Sequence, residues 1–291
     1  MPAQKVRRPM LAPGLRVIEV GPNAVQVGLD PTRAIRLPRT PATMSALRLL
    51  SVGGQLGTDG TTQELLTTLS EHELLVDSSI LAGHPSVRRG DLAAAAATDP
   101  TGWPERLRRR RCATVAHLGE FPVDPAPLLA AAGVPLGTAD PDVVLVTVVG
   151  ELDRDALDPL VRAETPHVVV RLVDGVATVG PFVEPGRTAC LRCIDAHHDA
   201  DQPGYSERLR RYVVATARPR DDAVSEPVDT AIATIATAWG VRDVVSHLDG
   251  DRPSTWSTTV RLLPAMAEVV SVSWWRHPAC GCGWSSVTME E

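Results

Sequence analysis

Aromatic side chains are scarce, 3% of the 291 residues, so the core of this chain must be built mostly of Leu, Val, Ile and Ala. No long hydrophobic run is present: nothing approaches the roughly 18 consecutive apolar residues of a membrane span, so no membrane segment is expected. Residues 1–16 lack the apolar stretch of a signal peptide, which points to a cytoplasmic protein. A basic excess is also missing. The net charge is −6, which argues against a general nucleic-acid binder. What remains is an ordinary apolar fraction of 44%, enough for one large domain or two modest ones.

Cysteine is rare but patterned. Four of the five cysteines form two tight clips, Cys190-Leu191-Arg192-Cys193 and Cys280-Gly281-Cys282. Two such clips brought together give a tetrahedral sulfur site, the chemistry of structural zinc. Gly281 and Gly283 let the backbone bend so that Cys280 and Cys282 face one Zn2+ ion. Four thiolates leave no position for water, so the ion would be structural and not a Lewis acid. Clip spacing without an export signal suggests metal in a reducing compartment and not disulfides. The fifth, Cys112, is expected in a buried strand as a small hydrophobe.

Along the chain, residues 1–13 read as a disordered basic tail. Three short β-like runs follow at 15–20, 24–29 and 34–37, separated by Gly-Pro-Asn and Asp-Pro turns. Helical spacing marks 43–51 and 61–72, with Thr61 or Asp59 as the cap of the second, and 52–60 reads as a loop. A closing strand is expected near 74–76. Residues 1–82 therefore form a small winged-helix-like module, and 83–111, with its prolines and Ala and Arg runs, reads as a linker. From 112 the pattern becomes α/β. Strands are expected at 112–118, 143–149 and 167–173, with helices at 126–132 and 153–163 between them, which implies parallel pairing. A further strand covers 176–183, helices cover 202–217 and 228–248, and a hairpin at 256–263 and 268–275 leads to the second clip. Trp239, Trp256, Trp274 and Trp275 are expected in the core or at an interface between copies, and 219–227 as an exposed loop.

Several stretches carry a family resemblance. They are Pro166-His167-Val168-Val169-Val170-Arg171; the run from Val179-Gly180-Pro181 through Cys190-Leu191-Arg192-Cys193-Ile194-Asp195-Ala196-His197; Leu248-Asp249-Gly250; and His277-Pro278-Ala279-Cys280-Gly281-Cys282. From about residue 106 to 284 the chain resembles ThiF/MoeB-type proteins, relatives of ubiquitin-activating enzymes. It is most similar to the leader-peptide-binding, cyclodehydratase-associated proteins of thiazole/oxazole-modified microcin biosynthesis. The resemblance implies a degenerate Rossmann-like ThiF-type domain with a four-cysteine zinc site, and pairing of two copies through that domain. It also implies an N-terminal module that captures the leader of a ribosomal precursor peptide, beside a YcaO-type cyclodehydratase.

Capture of that kind works by β-augmentation, an extended peptide adding to a sheet edge beside a helix. The receiving edge is expected at Arg33, Ile35 and Leu37, and the flanking helix at Leu65, Leu66 and Leu69. The competing reading is that these apolar residues simply form the small core of the module.

The chemistry of an active relative is what the sequence lacks. Adenylation of a carboxylate needs a Gly-rich turn whose N–H groups approach ATP phosphates. Here the first strand runs into Leu118-Gly119-Glu120-Phe121-Pro122-Val123-Asp124-Pro125, with one Gly, two prolines without N–H donors, and two repelling carboxylates. No Cys lies between Cys193 and Cys280 to carry a thioester. No ATP binding and no catalytic residues are expected, and Asp195 reads as a residue of a helix start. The alternatives are a divergent ATP-dependent adenylyltransferase and a winged-helix transcriptional regulator. Against the regulator, Arg48 is the one basic residue in the two candidate helices.

Overall fold

The computed structural model describes residues 8–82, 87–216, 221, 222, 224, 226–266 and 268–282. The chain divides into two compact units, 1–108 and 109–291. Among the described residues no helix is long and apolar enough to cross a membrane.

In the first unit, β1 (Pro9–Leu11) precedes β2 (Val17–Glu19), β3 (Ala24–Val27) and β4 (Ile35–Pro38). These last three form an antiparallel sheet with β3 central. Then come α1 (Pro41–Ser51), capped by the Thr40 hydroxyl, and α2 (Gly60–Glu71), capped by Asp59 and not by Thr61. Val25, Val27, Leu47, Leu50, Leu69 and Leu74 close the core between sheet and helices. Residues 9–11 are not part of a loose tail. They pair with β5 (Leu75–Asp77), because Met10 and Leu11 have buried places in two clusters. Residues 1–7 lie outside the described residues.

The segment expected as a linker is largely helical. After a short 3-10 turn (Ser78–Ala82) come α3 (Arg89–Thr98) and α4 (Trp103–Cys112), which runs across the division between the units. Leu92, Ala95, Ala96, Trp103 and Leu107 are buried with Val76 and Ile80. The Ala run is thus a helix former with one packed face, and Pro104 sits in the first turn of α4, where no N–H partner is lost. Residues 83–86 lie outside the described residues. Cys112 ends α4 and is exposed, so the expectation of a buried strand there was wrong: the Arg-rich helix runs on to it and the strand starts three residues later.

The second unit holds one six-stranded sheet in the order β11-β10-β9-β8-β7-β6. β6 (Val115–Leu118), α5 (Ala126–Ala131), β7 (Val143–Val149), α6 (Asp158–Arg162) and β8 (His167–Val173) supply its parallel half. Pro159 and a preceding 3-10 turn (Arg154–Leu157) split the helix expected at 153–163. β9 (Val176–Val183) turns back on β8 and begins the antiparallel half. α7 (Leu191–Asp201), α8 (Tyr205–Thr216) and α9 (Thr230–Asp249) follow, then the hairpin β10 (Thr258–Leu262) and β11 (Val269–Ser273), and a last 3-10 turn (Pro278–Cys280). Of the expected 219–227 loop, 219, 220, 223 and 225 lie outside the described residues.

β7 and β8 are buried along almost their whole length, as β-branched runs covered on both faces should be. α9 lies on that sheet with Ile232, Ala236, Val241 and Val244 buried. Gly240 permits the close approach, since a Cβ there would meet Val170 Cγ2 at 2.8 Å. At the helix end Asp249 takes the buried Arg110 guanidinium in two hydrogen bonds, each 2.6 Å.

Candidate functional site

The four clip cysteines converge. Cys190 immediately precedes α7 at its N-cap position and Cys193 lies in its first turn. Cys280 ends the last 3-10 turn, and Gly281, at φ +75°, reverses the chain so that Cys282 faces the same point. Gly283 lies outside the described residues. The sulfurs approach at 3.4 Å for Cys190–Cys280, 3.4 Å for Cys193–Cys282 and 3.8 Å for Cys190–Cys193, and all lie within 4.8 Å of one another. A tetrahedron with Zn–S bonds of about 2.3 Å has edges of about 3.8 Å, so the donor set and its spacing fit that ion. The sulfurs are too far apart for disulfides and the thiols are free. Contact with Cys193 and then with Cys280 pushes the Cys190 thiol up, while contact with Cys190 pulls Cys193 down. A dication at the centre removes that competition, because a coordinating thiol is deprotonated outright. His197 is not in the cluster; its Nε2 lies 2.9 Å from the Trp275 carbonyl.

The second region is the carboxyl end of the parallel strands. In a doubly wound sheet the ligand crevice opens where successive connections leave in opposite directions. Here the outward connection survives only in part. After α5 the chain touches β6 at one parallel bridge, Val115 with Leu136, and then returns to β7 on the other side. Phe121 and Val123, just past β6, are half-buried and pack against the core. Gly119 is held at φ +94°, with its Cα so near β7 that a Cβ would lie 2.0 Å from the Thr147 carbonyl oxygen. Gly119→Ala should therefore cost about 3 kcal/mol or more. By differential scanning calorimetry it should lower Tm by roughly 6–12 °C. His117 bonds the Thr147 hydroxyl at 2.8 Å, and burial lowers its pKa.

Beyond β7 lies a buried ionic network that sequence reasoning missed. Arg154 bonds both oxygens of Asp195, at 2.8 and 3.0 Å, and Glu151 at 2.7 Å. Glu151 also pairs with Arg171 on β8. Burial alone would push the Glu151 carboxyl up, but Arg171 and Arg154 outweigh it and hold the group below its usual range. Asp195 sits inside α7, with both of its oxygens held by Arg154. The cue in the sequence was Arg171 inside an otherwise apolar strand, since a lone buried cation demands partners.

The third region is the outer edge of β4. Leu37 and Ile35 oppose Val25 and Val27. The Arg39 N–H donates to the Asn23 carbonyl in the same ladder. Alternation then turns Arg36 outward. Its neighbours offer less: the Ala34 N–H is taken by Asp30, Pro38 has no N–H, and the Pro38 carbonyl accepts from Thr40. Of the expected groove residues, Ile35, Leu65 and Leu69 are buried in the core. Leu37 and Leu66 are half-buried beside it. Arg33 donates to the carbonyls of Glu73 and Ala97.

No protein-family profile matches the sequence, and no curated protein sequence does. Solved structures do match in fold. The heterocyclase TruD superposes with a TM-score of 0.67 at 13% identity, over 95% of this chain and 43% of TruD. A heterocyclase solved in complex with substrate and cofactor gives 0.65 at 16%, over 96% of this chain and 40% of its own. The chain thus spans about two fifths of these heterocyclases. Escherichia coli MccB gives 0.65 at 11%, over 95% of this chain and 99% of MccB. The chain is similar in fold, from end to end, to MccB and to part of the heterocyclases.

Proposed function

We propose that this chain is a non-catalytic, zinc-stabilised scaffold of the ThiF type that captures a ribosomal precursor peptide and presents it to a modifying enzyme, a YcaO-type cyclodehydratase. The first unit, a winged-helix-like module in this reading, takes the leader as an added strand on β4 beside α2. The carrying observation is the strand-end crevice. Phe121 and Val123 pack against the core just past β6, where the resemblance would put a phosphate-binding turn, and Glu151, Arg154, Arg171 and Asp195 pair with one another, which supports a reading without nucleotide chemistry. The fold match to part of heterocyclases, one of them solved with substrate, supports a place beside azoline chemistry.

A second reading, a divergent ATP-dependent adenylyltransferase, draws on the near-complete match to MccB, which has been solved with ATP. Calorimetric titration separates the two. The scaffold reading expects no heat from ATP–Mg, and micromolar affinity would establish the other. For capture, the tagged chain in extract of its own cells should recover a short ribosomal peptide or a YcaO-type enzyme, identified by mass spectrometry. Arg36→Pro removes the outward N–H of β4 and should cut peptide recovery roughly tenfold, the worth of one or two hydrogen bonds. Recovery of neither partner by intact protein counts against the scaffold.

A further inference from the structure

A cavity of about 210 Å³ lies on the face of the six-stranded sheet that carries α7. Leu157 and Val161 line it from the 3-10 turn and α6, Leu191 from the start of α7, and His167 from the start of β8. Cys190 and the second clip form another wall, but the fully buried Cys193 is not part of it. The cavity therefore stands beside the sulfur cluster and not inside it.

His167 sets the chemistry. Alternation along β8 puts it on the same face as Val169, which packs with Leu157 and Leu191. The main chain of β8 is held here between β7 and β9, so what His167 offers the cavity is its ring. The residue is fully buried, and burial lowers its pKa, which keeps the imidazole neutral. Its Nδ1 lies 3.0 Å from the Thr165 carbonyl. A carbonyl only accepts, so Nδ1 carries the proton and Nε2 is left as a bare acceptor. Among the described residues Nε2 has no hydrogen-bond partner. The charged residues along the same walls are engaged: Arg192 with Asp155 and Asp158, Arg162 with Asp158, and Arg154 with Asp195 and Glu151. A buried acceptor without a donor is costly, and a bound donor would recover that cost.

The walls define the rest of the ligand. An apolar cavity of about 150 Å³ takes up benzene, so this one has room for a six-membered ring with one polar substituent. It falls short of the roughly 300 Å³ at which drug-sized sites begin. Leu157, Val161 and Leu191 suit the faces and edges of a ring, and a rigid aromatic buries much area. A carboxylate at the tip has no proton to give Nε2. An ammonium has one but would be stripped of water among apolar walls. We propose that this cavity binds a phenol, with the ring between Leu157, Val161 and Leu191 and the hydroxyl donating to His167 Nε2. The phenol is either a free small molecule or the tyrosine side chain of a peptide. The site goes beyond the scaffold reading and does not depend on it.

Titrated into the full chain, phenol should move the ring Cε1–H cross-peak of His167, assigned by its absence from His167→Phe, and saturate with a Kd of about 0.1–1 mM. Ligand-observed NMR gives the affinities of variants. In His167→Phe the preference for phenol over toluene, which has the ring without the donor, should fall at least tenfold. Val161→Trp, at a half-buried position on α6, should fill the cavity and abolish phenol binding while leaving His167 in place. It keeps the test open if His167→Phe does not fold. N-acetyltyrosinamide separates the two sources: binding as tight as that of phenol assigns the site to a peptide side chain, and exclusion assigns it to free phenols. The proposal is overturned if about 10 mM phenol leaves the His167 peak unmoved. It is overturned equally if His167→Phe keeps the preference for phenol, or if Val161→Trp binds phenol as the intact chain does.

Discussion

If the four cysteines hold zinc as proposed, the intact chain should carry about one ion and Cys193→Ser less than about a tenth of that, measured by plasma mass spectrometry on protein purified without chelators. The side chain is fully buried and its sulfur contacts those of Cys190 and Cys282. A hydroxyl there cannot serve as a thiolate donor. The sulfur cluster links positions 90 residues apart. Closing a loop of that length is worth about 4–5 kcal/mol in the chain-entropy picture. A unit of this size loses roughly 2–4 °C per kcal/mol, so Tm should fall by about 10–15 °C. The loss stops short of the zinc-finger extreme, where the apo chain is unfolded, because the core around α9 stands on its own apolar burial. Zinc remaining near one per chain would falsify the ligand assignment.

Arg154→Leu should be the most damaging change away from the cysteines. It strips a buried cation from Asp195 and Glu151 and leaves Asp195 without its only charged partner among the described residues. Breaking a buried pair in this way costs about 3–5 kcal/mol. The effect depends on pH in a definite sense. The Glu151 carboxyl is held below its usual 4.5 in the folded chain, chiefly by Arg171 and Arg154 working against burial. That contribution is complete above pH 4.5 and disappears as pH falls through the folded value. Urea midpoints should therefore separate wild type from Arg154→Leu most widely near neutral pH and draw together once the pH falls below that usual value. Parallel curves across that range would mean that the network contributes packing and not charge.

Much of the second unit was legible because its signals are local and redundant. The apolar runs at β7 and β8 have no other stable home than a covered sheet, and paired cysteines at clip spacing have one common use. The first unit was read partly wrongly where signals conflict. Gly90, Pro100 and Pro104 looked like linker punctuation, yet they fall at helix starts and in the short connection between α3 and α4. The deciding fact, that Leu92, Ala95 and Trp103 share one buried cluster with Met10, is a long-range property that periodicity does not carry. The groove residues were chosen by apolar spacing, which does not distinguish a pocket from a core, and Ile35, Leu65 and Leu69 are buried in the core. The Glu151–Arg154–Asp195 network was invisible for the same reason, since its members meet only after β7 and α7 have packed.

The order in which the two clips are synthesised has its own consequence. Cys190 and Cys193 leave the ribosome about 90 residues before Cys280 and Cys282. At about 5–20 residues per second, the nascent chain carries an incomplete thiol pair for roughly 5–20 seconds. During translation that pair is open to oxidants and to stray metal, a vulnerable interval that ends only when the last clip arrives.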